Sequence, residues 1–164
     1  MNRIWTWALM IAALILIDQF SKGIIEQHYR LGESTEIISG FFNITYVRNT
    51  GAAFGMGANA AEIWRKILFL FIPVLACFYI LYLIWTARKE RYILGLSYSL
   101  ILAGAIGNLI DRFSLGYVVD MFDFYIKSSH FPAFNVADAC ISIAAGLLII
   151  DYFMELKKTK TKEA

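Results

Sequence analysis

The stretch Ile67-Leu-Phe-Leu-Phe-Ile-Pro-Val-Leu-Ala-Cys-Phe-Tyr-Ile-Leu-Tyr-Leu-Ile-Trp-Thr-Ala87 contains no Asp, Glu, Lys or Arg. Some 21 apolar residues rising about 1.5 Å each cover about 31 Å, the thickness of a bilayer's hydrocarbon core. Trp64 and Trp85 bracket the helix expected there at about 64–86, as interfacial aromatic belts require. Pro73 falls inside it and predicts a bend, which packing against neighbouring helices tolerates.

Three further stretches follow the same rule. Residues 92–110 are free of charge, and 4–17 and 139–150 reach spanning length by admitting charges at one end. The expectation is a single all-α integral membrane domain over 1–164, with transmembrane helices at about 4–25, 64–86, 92–112 and 135–154. Hydrophobic residues make up 59% and charged residues 17% of the 164-residue chain, too few charges to clothe a soluble exterior. The net charge of +2 gives no argument for a nucleic-acid partner.

Orientation follows the basic residues of the short loops. Arg3, then Arg88, Lys89 and Arg91, then Lys157, Lys158, Lys160 and Lys162 fall in three short segments on one side. Both termini and the 87–91 turn are therefore expected in the cytoplasm, with the loops 26–63 and 113–134 outside and a cytoplasmic tail at 155–164. No small-x-small site follows the first apolar run, so it reads as an uncleaved span. Cys77 and Cys140 fall inside spans and suggest neither a disulfide nor a metal cluster. Within the first outer loop, Thr35-Glu-Ile-Ile38 and Phe42-Asn-Ile-Thr-Tyr-Val47 flank Ser39-Gly40, the pattern of a small β-hairpin that could rest on the outer leaflet.

Polar groups within or beside a span cost several kcal/mol each unless partnered, which makes them the informative ones. Asp18 and Lys22 stand four apart on one helix face and can pair, either as a structural pair that fixes helix packing or with a direct catalytic role for Lys22. The glycines of Arg48-Asn49-Thr-Gly51-Ala-Ala-Phe-Gly55 permit turns, and Asn49 offers a donor and an acceptor. Asn108, Asp111 and Arg112 make one polar stripe at i, i+3 and i+4. Asp120 sits among apolar and aromatic residues, where desolvation raises a carboxyl pKa; if this stretch is extended, Asp123 faces the opposite way. Asn135 and Asp138 suit a helix start, where they can act as caps and where the dipole favours an ionised Asp138.

Two carboxylates in unlike settings can run metal-free hydrolysis, one ionised as base and one protonated as acid. His28 and His130 form no zinc motif, and Ser97 has no partner histidine, so metal and serine hydrolases are poorly supplied. Two non-peptidase readings remain open on the residues alone: a small proton-coupled carrier, and a scaffold whose polar stripe packs helices. A relay would spread its charges through the membrane depth, whereas Asp18, Asp111, Asp120 and Asp138 gather toward one side.

Asp18-x-x-Ser-Lys22, Asn49-Thr-Gly51-Ala-Ala-Phe-Gly, Gly107-Asn108-Leu-Ile-Asp-Arg112, Gly116-Tyr-Val-Val-Asp120-Met and Phe134-Asn135-Val-Ala-Asp138 follow one another along the chain. This succession resembles the sequence boxes of the bacterial lipoprotein signal peptidase (signal peptidase II) family. The resemblance implies a metal-independent aspartic endopeptidase of the plasma membrane, without a cofactor. It would remove the signal peptide of a diacylglyceryl-modified prolipoprotein by cutting before the lipidated cysteine. Matched box by box, Asp120 and Asp138 take the catalytic positions. Asn49, Gly51, Asn108, Arg112 and Asn135 fall around the substrate and the pair, and Asp18 and Lys22 support them. The resemblance further implies a β-cradle facing outside and inhibition by globomycin; contact with membrane lipids and a monomeric state are expected beside it.

Overall fold

The computed structural model describes residues 3–51, 62–87 and 91–163, and its elements run in the order helix, hairpin, four helical pieces, strand pair and helix. The first helix is α1 (Arg3–His28), followed by β1 (Ser34–Ile38) and β2 (Phe42–Asn49). Then come α2 (Glu62–Lys66), a π-helical turn (Ile67–Phe71) and α3 (Ile72–Ala87). The chain ends with α4 (Tyr92–Ser114), β3 (Val118–Ile126), β4 (Ser129–His130) and α5 (Val136–Glu163). Among the described residues, Ile4–His28, Ile67–Thr86, Tyr92–Ser114 and Val136–Thr159 are long and apolar enough to cross a membrane. Leu16, Phe20, Phe78 and Phe153 are all more than 60% exposed on these helices, which suits side chains meeting lipid.

α4 is the central helix: 56% of its most apolar window is buried, against 22% or less for the other three spans. Trp7, Cys77, Ile80, Ile84, Leu102 and Leu109 form a core between α1, α3 and α4. Leu100, Cys140 and Ala144 join α4 to α5. Gly104 lets these two helices approach closely, since a Cβ there would run into the backbone carbonyl of Ala137. At the end away from the sheet, Arg91 and Asp151 form an ion pair that ties the start of α4 to α5.

Ahead of Pro73, where the sequence predicts a bend, the structure has a π-helical turn in which the Ile72 N–H bonds back to the Ile67 carbonyl. Proline has no N–H for the residue 69 carbonyl, so the ladder widens by one residue ahead of it.

The hairpin expected at 34–48 is half of a larger sheet, with strand order β1-β2-β3-β4, all antiparallel. Loop 113–134, read as a connection, supplies β3 and β4. Gly116, at φ +81°, makes the left-handed turn that ends α4 and sends the chain into β3. Phe134 then bridges to Phe122, which fixes the return path to α5. Ile25, Tyr46, Val119 and Met121 bury the sheet against α1.

Two helices continue past their expected ends. α1 reaches His28 because Glu26, in its last turn, accepts hydrogen bonds from the Tyr46 and Tyr117 hydroxyls at 3.1 and 3.0 Å. α5 continues through the expected tail to Glu163, helped by the Lys158–Glu155 pair at 2.9 Å. Ala52–Gly55 of the glycine-rich segment and Arg88 and Lys89 of the basic turn lie outside the described residues.

Candidate active site

The C-terminal ends of α1 and α4, the N-terminus of α5 and the inner strands β2 and β3 meet at one end of the bundle. Each sequence-predicted site residue lies there: Asp18 and Lys22 on α1, Asn49 and Gly51 at the end of β2, Asn108 and Arg112 on α4, Asp120 on β3, Asn135 and Asp138 at the start of α5.

Asn135 is fully buried and acts in two ways. Its Oδ1 accepts the Asp138 N–H at 2.9 Å, and its own N–H reaches Asp138 Oδ2 at 3.4 Å, a reciprocal cap on α5. Its side-chain N–H groups face Asp120 Oδ1 at 2.7 Å, the Val119 carbonyl at 3.2 Å and Asn108 Oδ1 at 3.2 Å. The cap reading and the site reading of Asn135 therefore describe one side chain.

Asp120 is 2% exposed, and its second oxygen accepts from Asn49 at 3.1 Å. The two amides stabilise its anion, but burial and the charge of Asp138 outweigh them and push its pKa up to about 7. Asp123, three residues on, turns the other way to Asn43 and His130, as an extended strand requires. Asp138 Oδ1 accepts from Asn108 at 2.8 Å.

Beneath this pair lies a buried ion cluster. Lys22 Nζ meets Asp18 Oδ2 at 2.8 Å, Asp111 Oδ2 at 3.0 Å and Asn108 Oδ1 at 3.0 Å. Asp18 Oδ1 accepts the Ala137 N–H at 2.9 Å and so caps a second free donor of α5. Asp111 Oδ2 accepts the Val119 N–H at 3.1 Å, which ties the strand bearing Asp120 to α4. Gly107 makes room for the cluster, because a Cβ there would stand 2.6 Å from Asp18 Oδ2.

Arg112 donates to the Gly51 carbonyl at 3.2 Å and lies 5.7 Å from the Phe69 ring centre. The Gly51 N–H in turn donates to Asn49 Oδ1 at 3.0 Å. Asn49, Asn108, Arg112 and Asp138 form the polar wall of a cleft of about 610 Å³. Phe131, Pro132, Phe134, Ile141 and Ile143 form its apolar wall. Ile143 and Phe131 are more than half exposed, so the cleft opens on the lipid-facing side of α5.

The model of the family described as Signal peptidase (SPase) II matches residues 10–154. The chain belongs to the signal peptidase II family. Among the relatives it resembles, "Lipoprotein signal peptidase" of Shewanella piezotolerans is 43% identical over 97% of this chain and 91% of its own length. The protein of the same name from Syntrophus aciditrophicus is 42% identical over 88% and 90%. Two solved structures, each described as a bacterial membrane enzyme, align with TM-scores of 0.82 and 0.79 at 34% identity. The alignments cover 94% and 91% of this chain and 92% and 93% of those chains.

Within this signal peptidase II fold, Gln19 joins the site without being among the sequence-predicted residues, and Asp111 is more than a member of the Asn108 stripe. Gln19 Nε2 bonds Asp111 Oδ1 at 2.9 Å, the Gly107 carbonyl at 3.1 Å and Asp18 Oδ2 at 3.2 Å. Its signal was present in the sequence: an amide inside an apolar span, beside an acid, requires partners. Among the described residues no three His, Cys, Asp or Glu side chains converge to hold a metal ion.

Proposed function

We propose that the chain is an aspartic lipoprotein signal peptidase in which Asp120 and Asp138 carry the chemistry. Membership of the signal peptidase II family and the names of its relatives support the activity. The observation that carries the residue assignment is the link through Asn135, which donates to Asp120 while capping Asp138. Two carboxyl groups from different elements are thereby linked through one amide, and Asp138 lines the cleft.

In this mechanism Asp120, with its pKa pushed up to about 7, holds the proton, and Asp138 is the base. Asp138 takes a proton from water as the water oxygen attacks the scissile carbonyl carbon. The Asp120 proton goes to the carbonyl oxygen, and the tetrahedral species collapses by breaking the C–N bond while one of its hydroxyl protons returns to Asp120. The proton held by Asp138 passes to the leaving amine. No step uses a metal. Arg112 and Asn49 line the cleft where the substrate backbone would lie.

The substrate is a prolipoprotein whose cysteine bears a diacylglyceryl group, cut before that cysteine. Its acyl chains stay in lipid while the scissile bond enters from the open side of α5. The basic short segments support cytoplasmic termini and a site on the outer face of the plasma membrane. The protein acts as a monomer among membrane lipids, and globomycin inhibits it. Purified protein in detergent should cleave a diacylglyceryl-modified prolipoprotein peptide in the presence of EDTA. Activity lost with the chelator and restored by a metal would refute the metal-free mechanism.

A further inference from the structure

Three asparagine side chains turn their N–H groups toward the two carboxylates: Asn49 and Asn135 toward Asp120, and Asn108 toward Asp138. The two ends of a side-chain amide are almost the same shape, so what the carbonyl end meets decides which way the group faces. For Asn49 that partner is the Gly51 backbone N–H, and for Asn135 it is the Asp138 backbone N–H. For Asn108 it is the Lys22 ammonium at 3.0 Å, with a second, neutral donor from Asn135 at 3.2 Å. Among these three amides, only that of Asn108 has a charged side chain at its carbonyl end.

Lys22 has nothing left to offer a substrate. An ammonium carries three N–H donors and no acceptor, and the three are directed at Asp18, Asp111 and Asn108. Its side chain is 3% exposed and does not line the cleft. Gln19 completes the arrangement by bonding both carboxylates that hold the ammonium. A reversed Asn108 amide would set its oxygen against Asp138 Oδ1, now 2.8 Å from its nitrogen, and its NH2 against the ammonium. Both contacts would become repulsive.

We infer that Lys22 is a positioning residue, whose ammonium, held by Asp18, Asp111 and Gln19, fixes the Asn108 amide with its N–H side toward Asp138. This rests on the reading of Asp138 as a reacting carboxylate.

The test compares Lys22→Met with Asp18→Asn/Lys22→Met/Asp111→Asn. The single change leaves two buried acids without their cation, whereas the triple change empties the cluster of charge. Cleavage of the lipidated peptide should lose at least about tenfold in kcat in both, as expected for a lost hydrogen bond to a charged group, with KM within about threefold. A triple variant that regains wild-type thermal stability together with wild-type kcat would overturn the inference, because the cluster would then be only structural. Should neither variant fold, NMR of protein labelled at Asn and Lys nitrogens decides. The Lys22 ammonium protons should exchange slowly, and the Asn108 amide protons should move in Asp138→Asn. A fast-exchanging ammonium, or amide protons that stay in place, would overturn it. These signals require no turnover, so they remain readable if Asp138→Asn keeps its activity and the catalytic assignment itself fails.

Discussion

Asn135 donates to Asp120 at 2.7 Å with the same side chain whose oxygen caps Asp138 at 2.9 Å. The start of α5 and the first part of β3 are thus joined through one fully buried amide. Asn135→Ala removes both contacts and leaves the Asp138 N–H and one Asp120 oxygen short of a partner. Stability should fall by about 1–3 kcal/mol, and kcat by at least about tenfold. Thermal unfolding and peptide cleavage in detergent measure the two effects. Unchanged thermal stability would argue against the cap.

Asp120→Asn and Asp138→Asn should each abolish detectable cleavage, since an amide can neither take the proton from water nor release one to the carbonyl oxygen. Both variants should remain folded, because an asparagine keeps the shape and one acceptor oxygen. Full activity in either would refute the catalytic pair.

Cleavage should decline as pH rises through about 7, the value to which burial and Asp138 push Asp120, because the acid form is then lost. Stability follows the same group. Its folded pKa lies above the unfolded value of about 3.9, so folding takes up a proton between the two. The contribution is complete below about pH 4 and is lost as pH rises to about 7, by at most about 4 kcal/mol. Melting temperature followed from pH 4 to 8 should fall in wild type and flatten in Asp120→Asn. Equal slopes would show that another group governs the change.

Gly107→Ala should disable the enzyme without touching the cleft. The added Cβ would stand 2.6 Å from Asp18 Oδ2, and Asp18 is held by Lys22 and by the Ala137 N–H, so it cannot give way cheaply. A loss of about 1–3 kcal/mol in stability is expected, as for overpacking in a core. Gly23→Ala, where an added Cβ meets nothing, is the matched control and should behave as wild type in both assays.

The chain's own order of residues determined the spans, because the cost of a charge in lipid leaves apolar runs of one length and pushes the exceptions to their ends. Asp120, Asp138, Asn49, Asn108 and Asn135 were legible as site candidates for the same reason. The sequence also marked 34–48 as a hairpin through its alternating residues and Ser39-Gly40 turn. It did not mark 118–126 as the hairpin's partner strand, since strand pairing depends on residues some 75 positions away and has no local signature.

Only the tertiary structure decided which partner each polar group takes. From spacing, Lys22 could pair with Asp18 alone; in the fold it also meets Asp111 and Asn108, on a helix packed against its own. Gln19 acquires its role only there, bridging Asp18 and Asp111. Asn135 was legible as a cap from the local chain, but its bond to Asp120 exists only because the chain, turning at Gly116 into β3, brings Asp120 to the start of α5. A sequence constrains the depth at which each polar group must lie. The direction in which it points is set by the donors and acceptors that other elements bring to that depth.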